Sequence, residues 1–357
     1  MTRSLFLLAA LTFAAACGDS SSRTDTAAAG APPASTSSGA ALTGAGATFP
    51  APLYSKWFDA YATKTGVKIN YQPIGSGGGI RQLSEQTVDF GATDAPMSDA
   101  ELAKAKGGEV LHIPTALGAV AVIYNLPGVA AGLRLTGDVI AAIYQGQITR
   151  WNDPRIASLN PGSSLPATDI LVVHRSDGSG TTFVFSDYLA SVSPPWATRP
   201  GRGKELRWPT GLGAKGNDGV SGQVKQTPGA LGYTELAYAT QNGLAMAAVR
   251  NAEGEFVSPS IESVTAAAAG ASSKLPPNTD YRVSIVNAPG KGVYPISSFT
   301  WIIAYARQAD AGNRKQLTDF LRWALGDEGQ GMGPALDYAP LPEAMRTALL
   351  AKLDRIE

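Results

Sequence analysis

Short apolar runs rich in β-branched residues alternate along the sequence with stretches of helical spacing, and this alternation limits the possible folds more than any other feature. The runs "VKINYQ", "ILVVH" and "TWIIAYA" read as strands. Tyr54, Trp57, Phe58 and Tyr61 recur at spacings of three and four, as expected of one helix face packed on a sheet. Strand and helix in alternation predict an α/β architecture, in which ligands sit at the carboxyl ends of strands. The 357 residues suffice for two domains of ordinary size.

Four strand-to-helix turns share one chemistry. "GAGATFPAP" places Thr48 and Phe49 before Pro50, a residue favoured at a helix start, where neighbouring backbone N–H groups are free. "IGSGGGIRQL" sets Ser76 among glycines, ahead of a helix expected from near Ile80. "VDFGATDAPMSDAEL" ends a strand near Asp94, and Ser98 with Glu101 has capping-box spacing. In "VVHRSDGSGTTFVF", a strand from Leu171 to His174 leads through Arg175, Asp177, Ser179 and Gly180 to a helix expected from about Thr181. Free amides, hydroxyl donors and the positive end of a helix dipole together form an anion site. Arg175 adds a planar fork of donors able to meet two oxygens at once. A single such turn is also what ordinary capping supplies; four in one chain point to an anion.

Asp94 and Asp177 qualify that reading. A carboxylate repels a fully ionised oxyanion but accepts a hydrogen bond from one that keeps a proton, which favours phosphate over sulfate. The alternative for Asp94 is a strand-end turn residue. Asp177, two positions from Arg175, has the simpler role of pairing with the guanidinium and holding its fork.

Composition removes several function classes. Lys and Arg number 29 against 29 Asp and Glu, and charged residues are 16% of the chain, so there is no basic excess to neutralise a nucleic-acid backbone. No G-x-x-x-x-G-K-[ST] loop occurs. A hydrolase built on Ser179 would need one of only two histidines, His112 or His174, and "DGSGT" lacks the G-x-S-x-G elbow. His174 ends an apolar strand and reads as a packed or capping side chain. No close His, Cys and carboxylate cluster suggests a metal, and no cofactor is expected.

The N-terminus reads as an export signal: Arg3, an apolar stretch from Leu5, then small residues before Cys17, the only cysteine. Residues 1–16 are expected to be a signal peptide and residues 17–40 a lipid-anchor cysteine with a flexible linker, too poor in large apolar side chains to fold. An ordinary cleaved signal peptide is the alternative, and both place the protein in the periplasm or at the cell surface.

With these motifs assembled, the sequence strongly resembles the extracytoplasmic phosphate-binding proteins of bacterial high-affinity phosphate ABC importers. The likeness runs through "LTGAGATFPAPLYSKW", "YQPIGSGGGIRQL", "TVDFGATDAPMSD", "RSDGSGTTFVFSDYLA", "WPTGLGAKGNDG" and "PGALGYTELAYA". It implies a two-lobed, type II periplasmic-binding-protein architecture of Venus-flytrap form, closing on one phosphate. Carried over by motif, one lobe supplies Thr48, Phe49, Ser76 and Asp94. The other supplies Arg175, Ser179, Gly180 and Thr181, with Asp177 holding Arg175 and Asp94 taking the phosphate proton. Lobe I would comprise residues 41–115 plus 292–357 and lobe II residues 116–291, with the crossings near Thr115 and Gly292 as the hinge. The resemblance implies a monomer that binds inorganic phosphate without catalysis and serves ABC permease and ATPase subunits, tethered to a membrane through Cys17. Arsenate or another tetrahedral oxyanion is the alternative ligand, and a secreted phosphatase using Ser179 the alternative class.

Overall fold

The computed structural model describes residues 42–271 and 280–357. The signal peptide, Cys17 and the linker lie outside the described residues. Twelve strands are described: β1 (Leu42–Gly46), β2 (Ile69–Gln72), β3 (Phe90–Thr93), β4 (Val110–Tyr124), β5 (Arg134–Leu135), β6 (Leu171–Arg175), β7 (Leu212–Ala214), β8 (Ala230–Glu235), β9 (Ala245–Met246), β10 (Ala248–Arg250), β11 (Phe256–Val257) and β12 (Ser297–Tyr305). One mixed sheet runs in the order β2-β1-β3-β12-β4-β8-β6-β7, with β9 on β4, and β11-β10-β5 form a small second sheet.

The helix Ala51–Thr65 carries the aromatic stripe inward: Tyr54, Trp57, Phe58 and Tyr61 are all buried. The Trp57 indole also donates to Gly329 O at 2.7 Å, pinning this helix to the C-terminal part of the chain. Burying each such ring contributes roughly 1.5 to 3 kcal/mol, so the stripe alone fixes the helix on the sheet.

β4 organises the molecule. Its fifteen residues are all buried, and it changes partner along its length, pairing with β12 from Val110 to Ala119 and with β8 from Val120 to Tyr124. It therefore joins the β12 side of the sheet to the β8 side. The change of partner falls at Ala119/Val120. In the largely apolar run "VLHIPTALGAVAVIY" no residue at Ala119 or Val120 marks it. On the return, Val120 N donates to Ile296 O at 2.8 Å and Ser297 pairs with Ala119. At Pro114, which has no N–H to give the ladder, the β4–β12 register shifts, and Thr115 is the extra residue.

The local expectations differ from the fold by a turn or less. The helix expected near Ile80 begins at Ser76. Its glycines are needed for contact: a Cβ on Gly79 would lie 2.5 Å from Ala45 O, so the helix could not otherwise rest on β1. The helix expected from about Thr181 begins at Gly180, with Ser179 as its cap. The Ser98–Glu101 capping box forms, although the helix it starts, Asp99–Leu102, is a single turn.

Candidate anion-binding site

Three turns converge from the β1, β2 and β3 side. After β1 the chain passes through Thr48 and Phe49 into the helix Ala51–Thr65. Thr48 Oγ1 accepts from Asn217 N at 3.2 Å and Asn217 Nδ2 at 2.8 Å, and Thr48 O accepts from the Tyr238 hydroxyl at 2.6 Å. The Tyr338 hydroxyl donates to Phe49 O at 2.6 Å, which fixes the peptide beyond. Ser76 opens its helix after Gly75, whose φ of 91° suits glycine. Asp94 follows β3, and its Oδ1 accepts from the Thr300 hydroxyl at 2.9 Å. Thr115 Oγ1, on the extra residue of β4, bonds the Tyr54 hydroxyl at 2.7 Å and donates to Thr300 O at 3.1 Å. The strand irregularity thus holds the residue that holds Asp94.

The other side is one turn. Arg175 is the last residue of β6 and is buried, with its Nε 2.7 Å and Nη2 2.5 Å from the two oxygens of Asp177. Nη1 donates to Thr181 Oγ1 at 3.3 Å. Gly216 N donates to Asp177 Oδ1 at 3.1 Å, and the Tyr233 hydroxyl accepts from Arg175 N at 3.2 Å. Ser179 Oγ accepts from Thr182 N at 3.0 Å, capping the helix Gly180–Val192. The guanidinium is consequently locked in one orientation at the positive end of that helix.

These two sides meet. Gly180 N donates to Ser76 Oγ at 3.0 Å, Asp94 N reaches the same oxygen at 3.3 Å, and Gly77 N donates to Gly178 O at 2.8 Å. A Cβ on Gly180 would sit 2.5 Å from both Asp94 Oδ2 and Ser76 Oγ. Thr48, Phe49, Ser76, Asp94, Arg175, Ser179 and Thr181 are all buried. The two carboxyls respond oppositely. Burial raises Asp94 to about 7, against the lowering effects of Thr300, Arg175 and Ser76. Asp177 is also penalised by burial, but the Arg175 guanidinium and the Gly216 amide outweigh it and hold the carboxyl below its usual range.

Asn217 is a residue that the sequence reading missed. Its side chain donates to both Thr48 Oγ1 and Thr181 Oγ1, and its Oδ1 accepts from Glu235 N at 3.1 Å. Only Gly216, at φ 74°, hints at a special turn there. Glu235 is fully buried at the change of pairing on β4, and burial pushes its carboxyl well above the usual range; Oε2 takes bonds from Ala237 N and the Tyr338 hydroxyl. The histidines sit apart from Ser179: His174 stacks on Trp208 with rings 4.7 Å apart, and His112 Nε2 accepts from Met97 N at 3.1 Å. Among the described residues no group of acidic, His or Cys side chains could hold a metal ion, and no helix is long and apolar enough to cross a membrane.

Many known proteins match this chain in sequence or in fold. A PBP superfamily domain matches residues 27–328. The phosphate-binding protein PstS of Xylella fastidiosa strain Temecula1 is 47% identical over 302 residues, covering 84% of this chain and 81% of its own. The PstS protein of Pasteurella multocida is 45% identical, covering 85% and 86%. Among solved structures, a phosphate-binding protein from Stenotrophomonas maltophilia superposes with a TM-score of 0.66 at 22% identity, covering 87% of this chain and 93% of its own. A high affinity periplasmic phosphate-binding protein solved with phosphate at pH 8.5 gives 0.69 at 24% identity, with the same coverage. The structures bear on the fold, a two-lobed type II periplasmic-binding-protein architecture; the sequence identities go further, and the chain belongs to the PstS family of substrate-binding proteins of phosphate ABC importers.

Proposed function

We propose that this chain binds one inorganic phosphate between its lobes and delivers it to the permease of an ABC importer, driven by ATPase subunits, for high-affinity uptake. The observation that carries the reading is the placement of a buried acceptor, Asp94, beside a donor cluster of Ser76 Oγ, Gly180 N and the locked Arg175 fork, contributed by both sides of the cleft. Donors alone would suit any oxyanion. A carboxylate among them suits one that still has a proton to give. Thr48, Phe49, Ser76, Ser179, Gly180 and Thr181 supply hydroxyl and backbone donors, Arg175 the charge, and Asp177 holds Arg175.

Hydrogen bonds to a charged group contribute roughly 1.5 to 3 kcal/mol each. A handful exceeds the roughly 8 kcal/mol of a micromolar site, even after ordering and closure are met. Nothing in this requires covalent chemistry: Ser179 Oγ accepts from Thr182 N as a helix cap and keeps its hydroxyl hydrogen to donate. The lobes meet at the two crossings beside Ala119/Val120 and Ile296/Ser297, which serve as the hinge. The chain works as a monomer outside the cytoplasmic membrane, with Cys17 as the site of lipid attachment.

Titration calorimetry of the anion-stripped protein against phosphate and then sulfate, at fixed salt and pH, tests the reading. One-to-one binding of phosphate with no heat from sulfate is expected. Equal binding of both anions would remove Asp94 from the account of selectivity, and binding of neither would leave the cluster without this ligand.

A further inference from the structure

Seven residues beyond Asp94, Glu101 projects from the single-turn helix Asp99–Leu102, and its carboxylate grips Lys204 from the opposite side of the cleft. Lys204 Nζ lies 2.7 Å from Oε1 and 2.8 Å from Oε2, with the lysine side chain 18% and the glutamate 27% exposed. Both partners are held before they meet. Glu101 Oε2 accepts from Ser98 N and Ser98 Oγ, each at 2.9 Å. The backbone of Lys204 is tied to the anion loop itself, since Ser179 N donates to Lys204 O at 3.0 Å. Its neighbour Gly203 exchanges bonds with Ser186 Oγ on the helix Gly180–Val192.

Ion pairs between long, free side chains gain little because ordering them costs entropy. This pair is shielded, doubly bonded and built on two anchored supports, so much of that cost is met by the fold. Its position matters as much as its strength. One end is rigidly joined to the turn that carries Asp94 and the other to the residue that caps the anion loop. The pair exists only while those two turns face each other. Arg282 grips the same turn through Met97 O and Asp99, but Asp99 is 90% exposed and the contact correspondingly screened.

We propose that Lys204 and Glu101 form a clasp across the cleft that sets the residence time of the bound anion, without touching it. The inference rests on the phosphate reading above. An anion held by the cluster leaves only after the two turns part, and parting them breaks the clasp. Loss of the pair should therefore accelerate release while leaving capture by the open form almost unchanged.

The test is stopped-flow measurement of phosphate association and dissociation for the unmodified chain, Glu101→Gln, Lys204→Met and the double variant. Glutamine keeps the capping box and methionine keeps the buried stem, so both folds are preserved. Each single change is expected to raise the off-rate about tenfold, with the on-rate within about twofold. The double variant should be no faster than either single, because the pair is lost once. Added salt should speed release from the unmodified chain and not from the double variant. Off-rates unchanged in both singles, or effects that add in the double, would overturn the clasp. Failure of the unmodified chain to bind phosphate would overturn the phosphate reading beneath it, and the clasp with it.

Discussion

Replacing Asp94 with asparagine should stabilise the anion-free protein at alkaline pH and do almost nothing at acid pH. The carboxyl is buried and rises from 3.8 to about 7, burial outweighing the Thr300 hydroxyl, the Arg175 guanidinium and Ser76. Because the folded state prefers the neutral form, the native chain holds a proton that the unfolded chain has released between about pH 4 and pH 7. Stability consequently falls as pH rises across that window and levels off above it. A rise of this size corresponds to about 4 kcal/mol at most, and relaxation of the closed cleft will reduce it. Asparagine keeps an oxygen for Thr300 and carries no charge, so it escapes the penalty. Thermal unfolding of both proteins, stripped of anion, should show the variant gaining stability over the unmodified chain from about pH 4 to about pH 7, with the two converging below about pH 4. A difference independent of pH over that range would mean that Asp94 stays ionised when buried. Asp94 would then already be the ionised acceptor that discrimination in favour of a protonated anion requires, and the stability cost assigned to its burial would be wrong.

Three further changes separate the roles of the cluster. Arg175→Ala strands Asp177 without its guanidinium partner and removes the guanidinium held within the loop, so phosphate affinity in calorimetry should fall by about 2 to 5 kcal/mol; a loss below tenfold would place the fork outside the site. Asn217→Ala deletes bonds to Thr48 and Thr181 and should weaken phosphate binding by about 1 to 3 kcal/mol, with unchanged affinity showing that the bridge is incidental to closure. Gly180→Ala introduces a methyl 2.5 Å from Asp94 and Ser76; binding should drop at least about a hundredfold while the thermal midpoint of the anion-free form moves little, since the clash arises where the lobes meet. Wild-type affinity in that variant would contradict the observed approach.

What the sequence made legible is local. The stripe Tyr54, Trp57, Phe58 and Tyr61 announced a packed helix, the Ser98–Glu101 spacing a capping box, and the glycine and hydroxyl turns an anion chemistry, because each signal depends on neighbours within a few positions. Helix starts were displaced where glycine obscured them: Ser76 begins a helix through three glycines that propensity alone would place in a loop, and contact with Ala45 explains their presence. The change of partner on β4 was invisible, since an apolar strand buried on both faces reads the same whichever neighbour it has. Asn217 was missed for a related reason. It lies 169 residues from Thr48, and only the closed arrangement of the chain gives an amide at that position anything to bridge.

The cluster also explains why a chain of zero formal charge can be an anion binder. Arg175 and Asp177 cancel each other, while burial favours the neutral forms of Asp94 and Glu235. In the proposed site, oriented hydroxyls, amides and a helix terminus act with little net field, so an anion would be recognised by whether its oxygens and its proton match fixed donors and the Asp94 carboxylate. A strongly positive pocket would attract every oxyanion and release each slowly. Under the proposal, the selective element is hydrogen-bond geometry at the centre, and a well-shielded charge pair across the cleft, Lys204 with Glu101, stands at its edge, where it acts on closure and leaves the choice of ligand to Asp94.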